Sequence, residues 1–242
     1  MDIGAPTGVQ HIAHVEFDAE RVAYKGLPEE WHEQGANSQF GVEMRQLPRL
    51  AVPGYTARIP AVLVALRGEL LRLGGCKEEG VFRVAANKDD QKFYRSQLNS
   101  GTFETCGKED GHCMSALIKQ FFRELPTPLL NPVGRDAMAS LGMSKEGERE
   151  MCVTRFHLQI PEPNNSVFLW LLDLMLVVTK HGAVNRMGSR AIAVVFAPNL
   201  FQCPEGTAPM EVMVMADHAV KVLQHAMEFR EADLLRVAVS AY

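Results

Sequence analysis

The sequence lacks a strong excess of charge of either sign, and it lacks a long apolar run. Its formal net charge is −4 over 242 residues, whereas nucleic-acid-binding domains usually carry a strongly basic face, so we expect no nucleic-acid partner. The longest apolar run, residues 167–178, is interrupted by Asp173. It is too short to span a bilayer, so we expect no transmembrane segment and predict a buried core helix instead.

Secretion signals, paired cysteines and nucleotide-binding motifs are missing as well. No basic region followed by an apolar core occurs at the N-terminus, so a signal peptide is not expected. The five cysteines are odd in number and form no CxxC pair, which favours a reduced, cytoplasmic protein. Because no GxxxxGKS or GxxxxGKT loop occurs, the chain itself is not expected to bind GTP. We expect neither a cofactor nor a bound metal.

Hydrophobic periodicity predicts an all-α fold from about residue 60 onward. Apolar side chains recur at three- and four-residue spacing, as they do on one face of a helix. This pattern predicts helices at residues 59–73, 114–125, 166–181, 189–196 and 212–227. Asn87 predicts the N-cap of a further helix, because its side-chain oxygen can accept from free backbone N–H groups. The helix at 189–196 is expected to stop at Ala197-Pro198, since proline removes a backbone donor.

The first 45 residues differ in character from the rest of the chain. They are polar and Gly-rich, without sustained helical periodicity, and contain one possible short strand near Ala13 to Phe17. Gly, Asn, Ser and Pro between Gln34 and Pro53 indicate a linker. We therefore predict an N-terminal arm at residues 1–32, a linker at 33–52, a helical domain at 53–232 and a C-terminal tail at 233–242.

A single arginine, Arg83, stands among apolar residues in a Gly-containing loop between two predicted helices. In the simplest interpretation Val81 and Phe82 pack the loop on the core and Arg83 is merely solvated. Alternatively, the apolar neighbours hold the loop so that Arg83 is presented rigidly. A planar, permanently charged guanidinium would then suit the stabilisation of charge on a phosphoryl group in transfer.

Two further segments carry polar residues in a regular context. Lys119 and Arg123 are four residues apart, which places them on one side of the predicted helix 114–125. Asn199 follows a proline at the end of another helix. Taken alone, the first pattern is typical of two surface cations on an amphipathic helix, and the second is typical of an asparagine that caps a helix end.

Taken together, the three segments resemble the RhoGAP family. They have the sequences GVFRV, LIKQFFRELPTPLL and NRMGSRAIAVVFAPNLF, in this order, and the resemblance covers about residues 50–230. It implies a helical bundle over the predicted domain 53–232. It also implies that Arg83 is an arginine finger, which enters the active site of a Rho-family GTPase. Lys119, Arg123 and Asn199 would hold the loop and bind the GTPase.

The arm, residues 1–32, resembles the CRIB motif, in which Ile-x-x-Pro and an apolar residue precede His-x-x-His-Val. The residues that fit this motif, and that we expect to bind the GTPase, are Ile3, Pro6, His11, His14, Val15 and Phe17. The variant with Gly4 and Val9 is similar to plant-type Rho (Rop) GTPase-activating proteins that join CRIB to RhoGAP. Such an arm can add a strand to the edge of a partner's sheet. Histidines three apart could instead be metal ligands or plain strand residues, but no cysteine or acidic pair lies nearby at ligand spacing.

The two resemblances together predict a GTPase-activating protein of signal transduction. It would bind a Rho/Rac/Rop-type GTPase in the GTP-bound state and supply Arg83 in trans, without being an enzyme itself. We expect a cytoplasmic location, with recruitment to the plasma membrane by the lipid-anchored partner. Two alternatives stay open: a GTPase-binding scaffold or effector without catalytic effect, and a hydrolase with Cys113 as nucleophile, near Cys106 and His112.

Overall fold

The structure is a computed structural model of the chain, and it describes residues 16–18, 23–25, 38–103 and 110–240. Helices make up most of it: α1 (Ala61–Arg72), α2 (Lys88–Ser100), α3 (Gly111–Arg123), α4 (Arg135–Gly142), α5 (Arg149–Gln159), α6 (Asn164–Thr179), α7 (Gly182–Asn185), α8 (Ser189–Leu200) and α9 (Pro209–Ser240). The predicted all-α fold class is confirmed. Asn87 caps α2, as predicted, by accepting from Asp89 N at 2.8 Å.

Two short antiparallel pairs of strands precede α1. Strand β1 (Glu16–Asp18) pairs with β2 (Ala23–Lys25), and β3 (Arg49–Leu50) pairs with β4 (Ile59–Pro60). Strand β1 overlaps the end of the strand that we predicted near Ala13 to Phe17. The other residues of that predicted strand lie outside the described part of the chain.

Helix α6 lies at the centre of the core. Its apolar residues occur nearly all round the helix, and most of them are buried, among them Phe168, Trp170 and Leu172. Helices α8 and α9 contact it, α9 also packs on α4 and α8, and α3 packs on both α1 and α8. The buried helix that the run at 167–178 predicts is therefore present. No helix in the described ranges combines the length and apolar character needed to cross a membrane.

From residue 38 onward, the stretch that we predicted as a linker packs against the helices. Phe40, Met44 and Leu47 are buried in the core. The Phe40 ring meets Phe121 of α3 edge-on at 6.3 Å between ring centroids, and the Arg95 guanidinium lies 5.1 Å from it. These three apolar side chains anchor residues 40–47 to the domain. The predicted domain boundaries stay predictions.

Helix α8 continues past the point where we predicted its end. Pro198 lies in its last turn, and the helix ends at Leu200. Proline removes a hydrogen bond, but near a helix end few bonds remain to be lost. In addition, Asn199 Nδ2 donates to Val195 O at 2.8 Å and so satisfies one carbonyl of this turn. The predicted stop at Ala197-Pro198 is wrong for this reason.

A nearly buried ion pair joins α6 to α9. Arg230 Nε and Nη2 donate to the two carboxylate oxygens of Asp173 at 2.8 and 3.0 Å. Both side chains are 14% exposed. Tyr55 OH donates to the same carboxylate at 2.6 Å. Burial, together with this hydrogen bond, raises the pKa of Tyr55 to about 12. The carboxylate is thus neutralised by one cation and bonded by two side chains.

Replacing Arg230 by alanine should destabilise the fold without reaching the site described below. The Arg230→Ala variant leaves the Asp173 carboxylate in the protein without its counter-charge, and breaking such a pair typically costs about 3 kcal/mol. Urea unfolding followed by circular dichroism measures this loss. Lys221→Ala is the matched control, because the Lys221–Asp217 pair is exposed and should contribute below about 0.5 kcal/mol. Equal stability of Arg230→Ala and Lys221→Ala would refute this role for the pair.

Candidate functional site

The segment between α1 and α2 presents Arg83 at the surface. Val81 and Phe82 are fully buried, whereas Arg83, Val84 and Ala85 are exposed. Phe82 has φ +67°, a left-handed backbone conformation that residues other than glycine rarely adopt. Its ring packs against Phe196 of α8 with 4.9 Å between ring centroids. Because the chain turns at Phe82, the next residue is directed outward.

A tight turn at Gly80 fixes the backbone of Arg83. Gly80 O accepts from Arg83 N and from Val84 N, both at 2.8 Å. Gly80 has φ +71°, and a Cβ built on it would lie 2.6 Å from Val84 Cγ2 and 3.5 Å from Arg83 Nη2. Only glycine therefore fits at this position without displacing its neighbours.

Helix α3 holds Phe82 through both of its backbone polar groups. The Lys119 ammonium donates a short hydrogen bond to Phe82 O, and Phe82 N donates to the hydroxyl of the buried Ser115 at 3.4 Å. Burial lowers the pKa of Lys119, and the nearby Arg123 lowers it further. One residue that we predicted from its sequence context, Lys119, thus contacts the turn that carries another, Arg83.

The predicted residues of α3 and α8 meet beside this turn. Lys119, Arg123 and Asn199 line one cleft of about 210 Å³, together with residues 84–86, Gln91, Ala116 and Gln120. Arg123 is exposed, and Asn199 is half-buried. The side chain of Asn199 also bonds to the carbonyl of Val195. Asn199 therefore bonds to the backbone at the end of its own helix, as a capping residue would, and it also lines the cleft.

A second, larger groove shares helix α8 with the cleft but none of its lining residues, and the sequence did not predict it. It has a volume of about 670 Å³ and runs between the end of α8 and the start of α9, with Val194, Pro198, Val212 and Ala216 in its lining. Val194 is 51% exposed although α8 is largely apolar. The available signal was an apolar residue, Val194, at an exposed position of α8.

The thiol alternative finds no support at Cys113. This side chain is 1% exposed, and its burial raises the pKa of the thiol to about 12. Because the thiolate is the nucleophilic form, a thiol with such a pKa is unreactive at neutral pH. Cys106, which the same alternative invoked, lies outside the described residues.

Three described residues near the start of α3 could in principle hold a metal ion. Glu78, Asp110 and His112 each place one ligand atom within 4.8 Å of the others. Two contacts among them have a structural role. Asp110 Oδ1 caps α3 by accepting from His112 N at 2.9 Å, and His112 Nε2 lies 3.6 Å from Glu78 Oε2.

Sequence models of known families match most of this chain. A model of the RhoGAP domain matches residues 60–205, the part that contains Arg83, Lys119, Arg123 and Asn199. The chain belongs to the RhoGAP family. A model of the P21-Rho-binding domain matches residues 2–41, which include the arm in which we identified the CRIB motif. Of the CRIB residues, Ile3, Pro6, His11, His14 and Val15 lie outside the described residues, and Phe17 is described only as part of β1.

Relatives of this RhoGAP protein occur in plants and in an amoeba. Rho GTPase-activating protein 5 of Arabidopsis thaliana is 33% identical over 94% of this chain and 67% of its own length. Rho GTPase-activating protein 4 of the same plant is 31% identical over 92% of this chain and 51% of its own. Rho GTPase-activating protein gacA of Dictyostelium discoideum is 30% identical over 83% and 56%. The chain thus spans between half and two thirds of the length of these relatives.

Two solved structures share the fold of the helical domain. The human Rho GTPase activating protein 15 superposes with a TM-score of 0.68, at 17% identity, over 84% of this chain and 96% of that one. The BH domain from GRAF, the GTPase regulator associated with focal adhesion kinase, superposes with a TM-score of 0.61 over 71% and 93%, also at 17% identity. The predicted RhoGAP-like helical bundle is confirmed.

The burial of Cys113 predicts an order of thiol reactivity. In the folded protein at pH 8, iodoacetamide should modify Cys152 and Cys203, which are half-buried, well before Cys113. Mass spectrometry of tryptic peptides measures the extent of modification at each site. In 6 M guanidinium chloride as the control condition, all sites should react at similar rates. Fast labelling of Cys113 in the folded protein would revive the thiol alternative.

Proposed function

We propose that this protein binds Rho-family GTPases in the GTP-bound state and stimulates GTP hydrolysis by supplying Arg83 in trans. The observation that carries the proposal is the rigid, exposed presentation of Arg83. Its backbone is bonded at Gly80, the preceding residue is buried and held by Lys119, and its own side chain is exposed. The match of the RhoGAP domain model over residues 60–205 supports the same function.

The chemistry of phosphoryl transfer explains why an arginine is suited to this task. In the transition state negative charge spreads over the oxygens of the γ-phosphoryl group, and donors already in place stabilise it without reorganisation. A guanidinium supplies several N–H donors in one plane and stays charged at every physiological pH. The GTP and its Mg²⁺ belong to the partner, and this chain contributes the side chain.

The cleft beside the turn of Arg83 is too small for a typical small-molecule ligand. The cleft lined by Lys119, Arg123 and Asn199 has about 210 Å³, which is below the roughly 300–1,000 Å³ of typical ligand pockets. The larger apolar groove is lined by other residues of the same helix α8, among them Val194 and Pro198. We propose that the cations and Asn199 bind the GTPase and that apolar residues of the groove complete the contact.

The arm, residues 1–32, would provide a second contact with the GTPase. The match of the P21-Rho-binding domain model to residues 2–41 supports this role. An extended segment can pair with the edge of a partner's sheet through main-chain hydrogen bonds. We propose a cytoplasmic protein that reaches the plasma membrane when it binds a lipid-anchored GTPase.

Replacing Arg83 separates catalysis from binding. Arg83→Ala should lower the maximal rate of GTP hydrolysis about 1,000-fold, because the finger acts on the transition state, with little change in affinity for the GTPase. Arg83→Lys should fail as well, since an ammonium cannot reproduce the planar set of donors. Phosphate release from a panel of purified Rho-type GTPases, under single-turnover conditions, measures the rate. Stimulation by Arg83→Ala at the wild-type level would refute the finger role of Arg83, whereas binding without stimulation by the wild-type protein would leave the scaffold alternative in place.

Replacing the cleft residues should affect the half-maximal concentration and the maximal rate of stimulation differently. Asn199→Ala should raise the concentration needed for half-maximal stimulation about 10-fold. It should leave the maximal rate unchanged, because within the described part of the chain the Asn199 side chain bonds only to its own helix and not to the turn of Arg83. Lys119→Ala should impair both parameters, since Lys119 also holds Phe82 O. Met143→Ala, at an exposed position that does not line the cleft, is the control. Unchanged half-maximal concentrations in both cleft variants would place the binding surface elsewhere.

A further inference from the structure

Asn185, the last residue of α7, is a fully buried polar side chain. Its amide is completely hydrogen-bonded: Nδ2 donates to Cys76 O and to Val178 O, both at 2.8 Å, and Oδ1 accepts from Met187 N at 2.7 Å. Unpaired polar groups are unfavourable in a protein interior, so three such bonds hold the surrounding backbone in one arrangement. Asn185 therefore connects α6, the start of α8 and the 3-10 turn Gly75–Lys77.

The main chain of Asn185 contacts the turn that carries Arg83. Asn185 O accepts from Gly80 N at 2.7 Å, and Gly80 O in turn accepts from Arg83 N. Asn185 thus bonds to the segment that precedes Arg83 at two points. Its side chain bonds to Cys76 O, and its carbonyl bonds to Gly80 N. If Asn185 moved, both points would move with it.

We propose that Asn185 is a positioning residue, which sets where Arg83 stands relative to the surface formed by α3 and α8. This inference rests on the function proposed above. Lys119 holds the turn from α3 through Phe82 O, and Asn185 holds it from α7 through Gly80 N. Asn185 itself is buried and touches no partner, so it acts only through the backbone that it fixes.

Loss of a positioning residue is expected to lower the maximal rate of GTP hydrolysis. A catalytic group displaced by about 1 Å can lose roughly 100-fold in rate, whereas the binding surface depends on Lys119, Arg123 and Asn199, which lie on other helices. Loss of the Asn185 amide leaves Cys76 O, Val178 O and Met187 N without these bonds, and the turn loses its fixed position.

The test compares Asn185→Ala with wild-type protein on a purified, GTP-loaded Rho-family GTPase. At saturating protein the rate of hydrolysis should fall about 10- to 100-fold, while the half-saturating concentration changes less than about 3-fold. In an Arg83→Ala background, Asn185→Ala should have no further effect, because the group that it positions is gone. Equal losses in both backgrounds would overturn the proposal.

Two further variants separate positioning from general instability. Arg230→Ala is destabilised at the ion pair between α6 and α9, and at a temperature where it is folded its maximal rate should match that of wild type. Gly80→Ala introduces a Cβ that would lie 2.6 Å from Val84 Cγ2. It disturbs the same turn without touching the Asn185 amide, so it should reproduce the loss in rate even if Asn185→Ala fails to fold.

Amide hydrogen exchange gives a measurement that does not depend on activity. Exchange of residues 78–84 should be at least about 10-fold faster in Asn185→Ala than in Arg230→Ala. If wild-type protein stimulates no Rho-family GTPase, the proposed function fails, and the exchange comparison still decides whether Asn185 holds the turn. Wild-type exchange and a wild-type maximal rate in Asn185→Ala would refute its positioning role.

Discussion

Burial of the Phe82 ring constrains the backbone on which the candidate site depends. The ring packs on Phe196 of α8, so the chain at Phe82 must adopt a left-handed conformation, and this conformation turns the next residue, Arg83, towards solvent. Such a backbone conformation is unfavourable for a residue with a side chain. The core contacts of the ring and the bonds of its peptide group to α3 offset that strain.

The bonds of the turn around Phe82 explain why the site is rigid. The turn is bonded to α3 on one side and to the end of α7 on the other, and both helices pack on elements of the core. A protein interior is close-packed and deforms little. A long, flexible side chain is thus mounted on a backbone that has little freedom, which would limit the entropy lost if Arg83 entered a partner's active site as proposed.

Much of the fold follows from patterns that the sequence shows directly. Helices α1, α3, α6 and α9 were predictable because their apolar residues recur with helical spacing over three or more turns. Helices α4 and α7 have eight and four residues, too few for such a pattern. The packing of residues 38–50 was not predicted, because the Gly, Asn, Ser and Pro between Gln34 and Pro53 indicated a linker, while the anchors Phe40, Met44 and Leu47 are few.

The candidate site was predictable only in part, and the reason lies in how its residues act. Arg83, Lys119, Arg123 and Asn199 belong to motifs that resemble a family, so the sequence indicated them. Ser115 and Asn185 contact the turn through backbone atoms of residues 33 and 105 positions away. A serine within a helix and an asparagine at a helix end are common in any helical protein, and a bond to a distant peptide group leaves no local pattern.

Helix α9 connects two regions that have been described separately. Val212 and Ala216, near its start, line the groove beside Asn199, and Arg230 forms the ion pair with Asp173 about 27 Å further along the same axis, at 1.5 Å per residue. The helix is an uninterrupted rod from Pro209 to Ser240. Its packing against α4, α6 and α8 places both ends at once, so the wall that α9 contributes to the groove is part of the domain core and not a separate loop.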